Sequence, residues 1–240
     1  MNKKTKKVKL MILTAFVVIC SVSLPAADEP GFVSLFNGKD LNGWDGNPKF
    51  WSVKDGAIDG TTTKENPTKG NTFLIYRNDS VDDFELRLDY KLIGGNSGIQ
   101  YRSKEVSKWV VSGYQADMAS NDVYSGIMYH EKGRGILAQR GTVSKIIPKP
   151  GDPSRHQVQV IGSLGKSEDI QALIKKDDWN QYTIIANGNQ LTHMINGRVT
   201  SITIDEHPAG RSKSGILALQ LHAGPPMTLK VKNVRIREIK

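Results

Sequence analysis

The 240-residue chain has one cysteine, Cys20, so the sequence offers no internal disulfide framework and no thiol chemistry outside its first segment. Acids are missing from residues 1–27, which carry Lys3, Lys4, Lys6, Lys7 and Lys9. Leu10 to Cys20 is almost wholly apolar, broken only by Thr14, and Pro25-Ala26-Ala27 follows. That apolar body is shorter than the ~20 residues of a bilayer-spanning helix. A charged head, a short apolar body and a small-residue exit instead describe a secretory signal peptide over residues 1–27, cut near Ala26 or Ala27. Val18-Ile19 before Cys20 lack the small residues that a lipidation site favours. The expectation is an exported bacterial protein, periplasmic or at the cell surface, with no stable membrane insertion once the segment is removed.

A large charge excess is also missing. The whole chain has 33 basic and 24 acidic residues, net +9. Without the five N-terminal lysines, 28 bases face 24 acids, a net +4. That balance gives no support for a nucleic-acid partner.

Several catalytic signatures are absent. No Gly-x-Ser-x-Gly occurs at a strand-to-helix turn. His130-Glu131 begins like a zinc motif, but Arg134 stands at the second ligand position. Gly94-Gly95-Asn96-Ser97-Gly98 lacks the Gly-Lys-Ser/Thr ending of a phosphate loop and reads as a hairpin turn. Glu85-Leu86-Arg87-Leu88-Asp89 has the wrong spacing for the Glu-x-Asp-x-x-Glu run of retaining β-glucanases, which weakens a direct two-carboxylate hydrolase. Loop aspartates allow a structural calcium, but no EF-hand spacing indicates one. No cofactor and no metal site is expected.

What is present is strand pattern. Phe84 to Ile93 alternates Phe84, Leu86, Leu88, Tyr90 and Leu92 with Glu85, Arg87, Asp89 and Lys91, one face buried and one wet. Shorter strands are expected at Phe32–Phe36, Phe50–Val53, Ala57–Gly60 and Thr72–Tyr76. Others are expected at Tyr182–Ala186, Leu191–Ile195, Val199–Ile204, Gly215–His222 and Met227–Ile239. Asp55-Gly56, Asn187-Gly188 and Asn196-Gly197 supply tight turns. Lys104 to Trp109 reads as a loop, with Trp109 either a sugar-stacking ring or a core residue. Thr142 to Lys166, broken by Pro148, Pro150 and Pro153, reads as a surface excursion with one short strand at Gln157–Ile161. Ser167 is expected to cap one short helix, Glu168–Lys175. Strands dominate and no βαβ rhythm occurs. These features predict an all-β antiparallel two-sheet sandwich forming a single domain over residues 28–240.

Three strands carry large polar groups opposite their packing face. Ile99 and Tyr101 alternate with Gln100 and Arg102. Tyr114, Ala116 and Met118 alternate with Gln115 and Asp117. Leu217, Leu219 and Leu221 alternate with Gln220 and His222. Amides, an Arg, an Asp and a His suit hydroxyl recognition better than the Lys, Glu and Thr of an ordinary wet face. A carbohydrate partner is therefore expected on this face. The sequence sets no oligomeric state.

Six segments spanning nearly the whole of residues 28–240 also carry a resemblance. They are LFNGKDLNGW (Leu35 to Trp44), FWSVKDGAIDG (Phe50 to Gly60), NSGIQYR (Asn96 to Arg102), GYQAD (Gly113 to Asp117), WNQYTIIANGNQLTHMINGR (Trp179 to Arg198) and GILALQLHAGPPM (Gly215 to Met227). In this order they resemble the 3-keto-disaccharide hydrolase domain family of bacterial exported proteins. That resemblance implies a concanavalin A-like jelly roll and a glycoside-active or glycoside-binding role. His130 stands where relatives tend to carry a second acid.

The chemistry such a role permits starts from a sugar ketone. The ketone acidifies the neighbouring carbon, a base removes its proton, and the aglycone leaves the anomeric carbon with a proton from an acid. Asp117, Glu131 and His222 are the expected catalytic proton carriers. Gln100, Arg102, Gln115, Tyr129, His193 and Gln220 are the expected substrate-binding set. Three have a structural alternative: Asp117 paired with Arg102 in the interior, Glu131 in a loop ion pair with Arg134, and Tyr129 in the core; the face that His193 takes is open. The rival functions are a noncatalytic carbohydrate-binding module on the same sandwich and a surface assembly protein with no sugar site.

Overall fold

In a computed structural model, residues 29–239 are described. The expected signal peptide and Cys20 lie outside them. Two short strands, β1 (Val33–Ser34) and β2 (Trp44–Asp45), lead into a hairpin of β3 (Trp51–Lys54) and β4 (Ala57–Thr62). Its turn residues Asp55 and Gly56 have φ of 53° and 72°, the pair of positive values that twists a two-residue hairpin correctly. β5 (Thr72–Tyr76), β6 (Phe84–Ile93), β7 (Asn96–Ser107) and β8 (Val110–Ala119) follow, then the shorter β9 (Met128–Glu131) and β10 (Gly135–Ala138). A long hairpin, β11 (Thr142–Lys149) and β12 (Asp152–Ser163), precedes the helix α1 (Ser167–Gln171). β13 (Asn180–Asn187), β14 (Gln190–Ile195), β15 (Arg198–Asp205), β16 (Ile216–Leu221) and β17 (Met227–Glu238) complete the chain.

The strands form two sheets. One runs β12-β11-β15-β14-β13-β6-β17-β4-β3, with β1 paired to β17. The other runs β10-β9-β8-β7-β16-β5-β2. Every pairing between these strands is antiparallel except β11 with β15. The alternation read from Phe84 to Ile93 holds: Phe84, Leu86, Leu88, Tyr90 and Leu92 all enter the core between the sheets. From the other sheet Ile99, Tyr101, Tyr114, Met118, Leu217, Leu219 and Leu221 meet them. Phe84 touches Tyr101 edge-on across the gap, ring centroids 5.9 Å apart. The all-β two-sheet sandwich expected from the sequence is the fold observed.

Four local expectations need correction. The strand expected at Phe32–Phe36 is two residues long, Val33–Ser34. Lys104 to Ser107 is not a loop; two register irregularities let this polar stretch stay paired with β8. Thr142 to Lys166 holds two long strands rather than one short one. Pro153 sits near the start of an edge strand, where a missing N–H costs no ladder bond on the open side. The helix is five residues long, Lys166 is its N-cap, and no side chain caps it, so Ser167 is not the cap.

Candidate active site

Antiparallel partners point to the same side of a sheet, so pairing tells which groups share the outer face of the seven-stranded sheet. Gln100 lies opposite Gln115, and Gln115 opposite Tyr129. Gly98 faces Asp117, and Gly113 faces Glu131. Ala218 faces Gln100, which puts Gln220, two residues on, on the same side. Four strands thus bring three amides, two carboxylates and a phenol onto one surface while their alternate residues fill the core.

These groups are joined by a directed chain of hydrogen bonds. Ser103 Oγ donates to Gln100 Oε1 over 2.8 Å. Gln100 Nε2 donates to Gln115 Oε1 over 2.5 Å, and Gln115 Nε2 to Asp117 Oδ1 over 2.5 Å. Every amide has its oxygen turned back and its N–H₂ turned forward. Asp117 Oδ1 is therefore an acceptor, and a proton on this carboxyl belongs on Oδ2. Gly98 makes the chain possible: a Cβ there would overlap Cγ and Cδ of Gln115, which lie across the bare strand.

Asp117 is buried and has no cationic partner among the described residues. Burial pushes its pKa up to about 8; the Gln115 N–H opposes this and the neighbouring Glu131 charge adds to it. Glu131 is held differently. Asn71 Nδ2 donates to Glu131 Oε1 over 3.1 Å, and Gln220 Nε2 reaches Oε2 at 3.5 Å. Asn71 also accepts from the Ala223 N–H, tying Glu131 to the loop after β16. Burial raises the Tyr129 pKa, with Glu131 and Asp117 adding to it, so its phenol stays protonated and able to donate. His222 is exposed; its Nδ1 faces Ala223 O at 2.5 Å and must donate, so in the neutral ring Nε2 is the acceptor.

Asp117, Gln115, Tyr129, Glu131 and His222 line one hollow of about 620 Å³. That volume lies within the ~300–1,000 Å³ of small-molecule sites. Gln100 and Gln220 stand behind it, fully buried, and act on it through Gln115 and Glu131. Two members of the expected set lie elsewhere. Arg102 adopts φ 46° at the irregularity in β7, which turns its side chain off the polar face. Its guanidinium donates to Asp82 O, Gly188 O and Asp83 Oδ1, bracing two loops. It makes no pair with Asp117. His193 is in the core between the sheets. Its Nδ1 donates to Ile127 O over 3.2 Å and its Nε2 accepts from Tyr101 Oη over 2.9 Å. Burial lowers its pKa to about 3, opposed by the Ile127 bond, so it is neutral.

Other readings change too. Glu131 does not pair with Arg134, whose guanidinium forks onto buried Asp205. Trp109 is no sugar platform in the hollow; its indole N–H donates to Asp45 and Lys108 Nζ lies 4.4 Å from its ring centroid. Phe73, Ile75, Val111 and Ala218 form a second, buried apolar cluster, so the outer face is not polar throughout. The sequence reading also missed Asn71, Asn96, Asn121 and Tyr124, which line the hollow from loops or strand ends. Loop positions carry no periodic signal that would have marked them. Among the described residues no cluster of three or more His, Cys, Asp or Glu is arranged to hold a metal.

Comparison with known proteins bears on this site. A family model described as the 3-keto-alpha-glucoside-1,2-lyase-like domain matches residues 31–237. A 3-keto-disaccharide hydrolase of Bacteroides thetaiotaomicron is 34% identical over 115 residues, a match covering 45% of this chain and 37% of that relative. A candidate glycosyl hydrolase of Parabacteroides distasonis is similar in structure, with TM-score 0.56 and 23% identity over 88% of this chain and 95% of that one. A carbohydrate-binding module of Bacillus subtilis is also similar, with TM-score 0.53 and 15% identity over 82% of this chain and 96% of that one. At these identities the two structures speak to the fold alone. The family match runs through both sheets and every strand that lines the hollow, and the chain belongs to the family of 3-keto-alpha-glucoside-1,2-lyase-like domains.

Proposed function

We propose that this protein is an exported bacterial enzyme that cleaves 3-keto-glycosides by acid-base elimination, with water addition giving net hydrolysis. The observation that carries the reading is two carboxyls in one hollow whose surroundings differ: Asp117 buried and raised to about 8, Glu131 held by two amide donors. Environments that separate two acids in this way assign an acid and a base. Family membership and the relative in Bacteroides thetaiotaomicron support a sugar-ketone substrate. The lysine-headed segment of residues 1–27 supports export.

In this reading Glu131 removes the proton from the carbon between the ketone and the anomeric centre. The C–H electrons move into an enolate. The enolate collapses to a carbon–carbon double bond and expels the aglycone from the anomeric carbon. Asp117 gives its Oδ2 proton to the departing oxygen. The Tyr129 hydroxyl donates to the ketone oxygen while it carries charge, and His222 Nε2 accepts from a sugar hydroxyl. Water then adds at the anomeric carbon, giving one proton to the Asp117 carboxylate, while Glu131 returns its proton to the neighbouring carbon.

The purified protein is incubated with an unoxidised glycoside and with its 3-keto form, and products are followed by mass and by the ultraviolet absorbance of the enone. Cleavage of the 3-keto form alone is expected, and Glu131→Gln is expected to lose it. Turnover should decline as pH rises through about 8, where Asp117 gives up its proton. Binding of either compound without product from either would replace the enzyme by a binding module.

A further inference from the structure

Three of the four sheet ends on the main strand paths are short. β3 and β10 have four residues each and β2 has two. β12 is the exception: twelve residues, paired among the described residues only with β11, and exposed along most of its length. Proteins guard such an edge with charges, prolines or brevity, because its free N–H and C=O groups invite another strand. From Gln157 to Leu164 this edge has neither a charge nor a proline.

The apolar side chains here are placed by register. Val158 lies opposite Ile146 and Val160 opposite Ser144. Ile146 is a fully buried core residue, so Val158 and Val160 share the inner face of the large sheet. Yet Val158 is 38% exposed and Val160 66%. The large sheet overhangs the smaller one at this end and leaves inward-facing valines uncovered. Ile161, on the strand's other side next to a register shift, is 53% exposed.

We infer that β12 pairs antiparallel with β12 of a second copy of this chain, about a two-fold axis at Gln159, making one continuous sheet. A two-fold axis normal to a sheet keeps each residue on its own face, so paired residues must share parity and one residue must oppose itself. With Gln159 at the axis, Val158 of each copy meets Val160 of the other, and the four valines close one apolar patch. Gln157 meets Ile161, and the two Gln159 amides each offer a donor and an acceptor to the other. Asp152 of one copy is carried toward Lys166 of the other, opposite charges at both ends. Moving the axis to Val158 would set His156 against Val160, and moving it to Val160 would set Val158 against Gly162. Only the Gln159 axis gives both valines of each copy a valine partner. The inference stands apart from the sugar chemistry, since the hollow lies on the other sheet.

Sedimentation velocity across the micromolar range tests it, alongside crosslinking in a Cys20→Ser background. The wild type is expected to pass from monomer to dimer with concentration. Val160→Lys should weaken the dimer at least tenfold while leaving the monomer's melting temperature unchanged, because the side chain is exposed. Oxidation should link Gln159→Cys into a covalent dimer, since opposed strand residues have Cα atoms about 4.5–5.5 Å apart, within disulfide reach. Arg155→Cys, set opposite Ser163, should not link. A wild type that stays monomeric, a dimer that Val160→Lys leaves intact, or equal crosslinking at positions 155 and 159 would overturn the inference.

Discussion

Replacing Asp117 by asparagine separates what its carboxyl does for turnover from what it costs the fold. The side chain is almost fully buried and its pKa is about 8, against 3.8 for the unperturbed group. A raised folded-state value means that the native protein holds a proton the unfolded chain gives up. The contribution of this one group to stability is then greatest below pH 4, falls as pH rises, and levels off above about pH 8. Each pH unit between the two values costs about 1.4 kcal/mol, so at pH 7 the penalty is ~4 kcal/mol, and at pH 4.5 it is ~1 kcal/mol or less. Asparagine is neutral throughout, and its Oδ1 can still accept from Gln115 Nε2. Asp117→Asn should therefore be more stable than the wild type by a few kcal/mol at pH 7, and nearly equal to it at pH 4.5. For a domain of this size that is a rise in melting temperature of ~10 °C at pH 7. It should also lose cleavage activity. Urea denaturation of both proteins at pH 4.5, 7 and 8 gives the comparison. A stability difference that does not change with pH, or an asparagine variant weaker than the wild type at pH 7, would refute the assignment of Asp117 as a buried neutral acid.

Other perturbations read other parts of the structure. His193→Gln should flatten the acid side of the stability profile: a histidine depressed to about 3 in the folded state loses stability as pH falls below about 6.5, and glutamine does not titrate. At pH 7 the same variant should lose about 1–3 kcal/mol by chemical denaturation, from the disturbed bonds to Tyr101 and Ile127, with turnover retained per folded molecule. Arg102→Lys should cost about 3 kcal/mol, because an ammonium cannot serve Asp82 O, Gly188 O and Asp83 at once; its kcat should be that of the wild type, and a selective loss of kcat would return Arg102 to the site. Gly98→Ala should displace Gln115, cost about 1–3 kcal/mol by overpacking, and shift the alkaline limb of the pH–rate profile, since Asp117 loses its Nε2 donor.

Much of the fold was legible from the chain because alternation is a local signal. Phe84 to Ile93 has the bounds read from its pattern, and the Asp55-Gly56 turn closes its hairpin as its residues require. The polar face was legible for the same reason: Gln100, Gln115, Asp117 and Gln220 fall on one side by parity alone. Parity failed where the backbone broke step. Arg102 continues the alternation on paper, but the irregularity at β7 turns it toward Asp83. His193 was misplaced by residue type rather than by parity: it shares the face of core residues Leu191 and Ile195 and joins them in the core, where two hydrogen bonds satisfy a neutral ring. Between Thr142 and Lys166 the short strand read at Gln157–Ile161 falls inside β12, an edge strand whose exposed residues blur its bounds, and β11 beside it buries only Ser144 and Ile146, too little for a hydrophobic rhythm.

By itself the sequence determined the class of the fold, the outward placement of the amides and Asp117, and the resemblance that led to the family. Those depend on the period of a strand and on residue type, which need no knowledge of neighbours. Only the tertiary structure decided which polar groups share the hollow and in what state. Asp117 is an acid rather than one half of an ion pair because folding gave it a buried seat, an amide N–H and Glu131, and no cation. A protonation state is set by what surrounds a group in space, and residues as far apart in the chain as Asn71, Glu131 and Gln220 meet only when the sheet is complete.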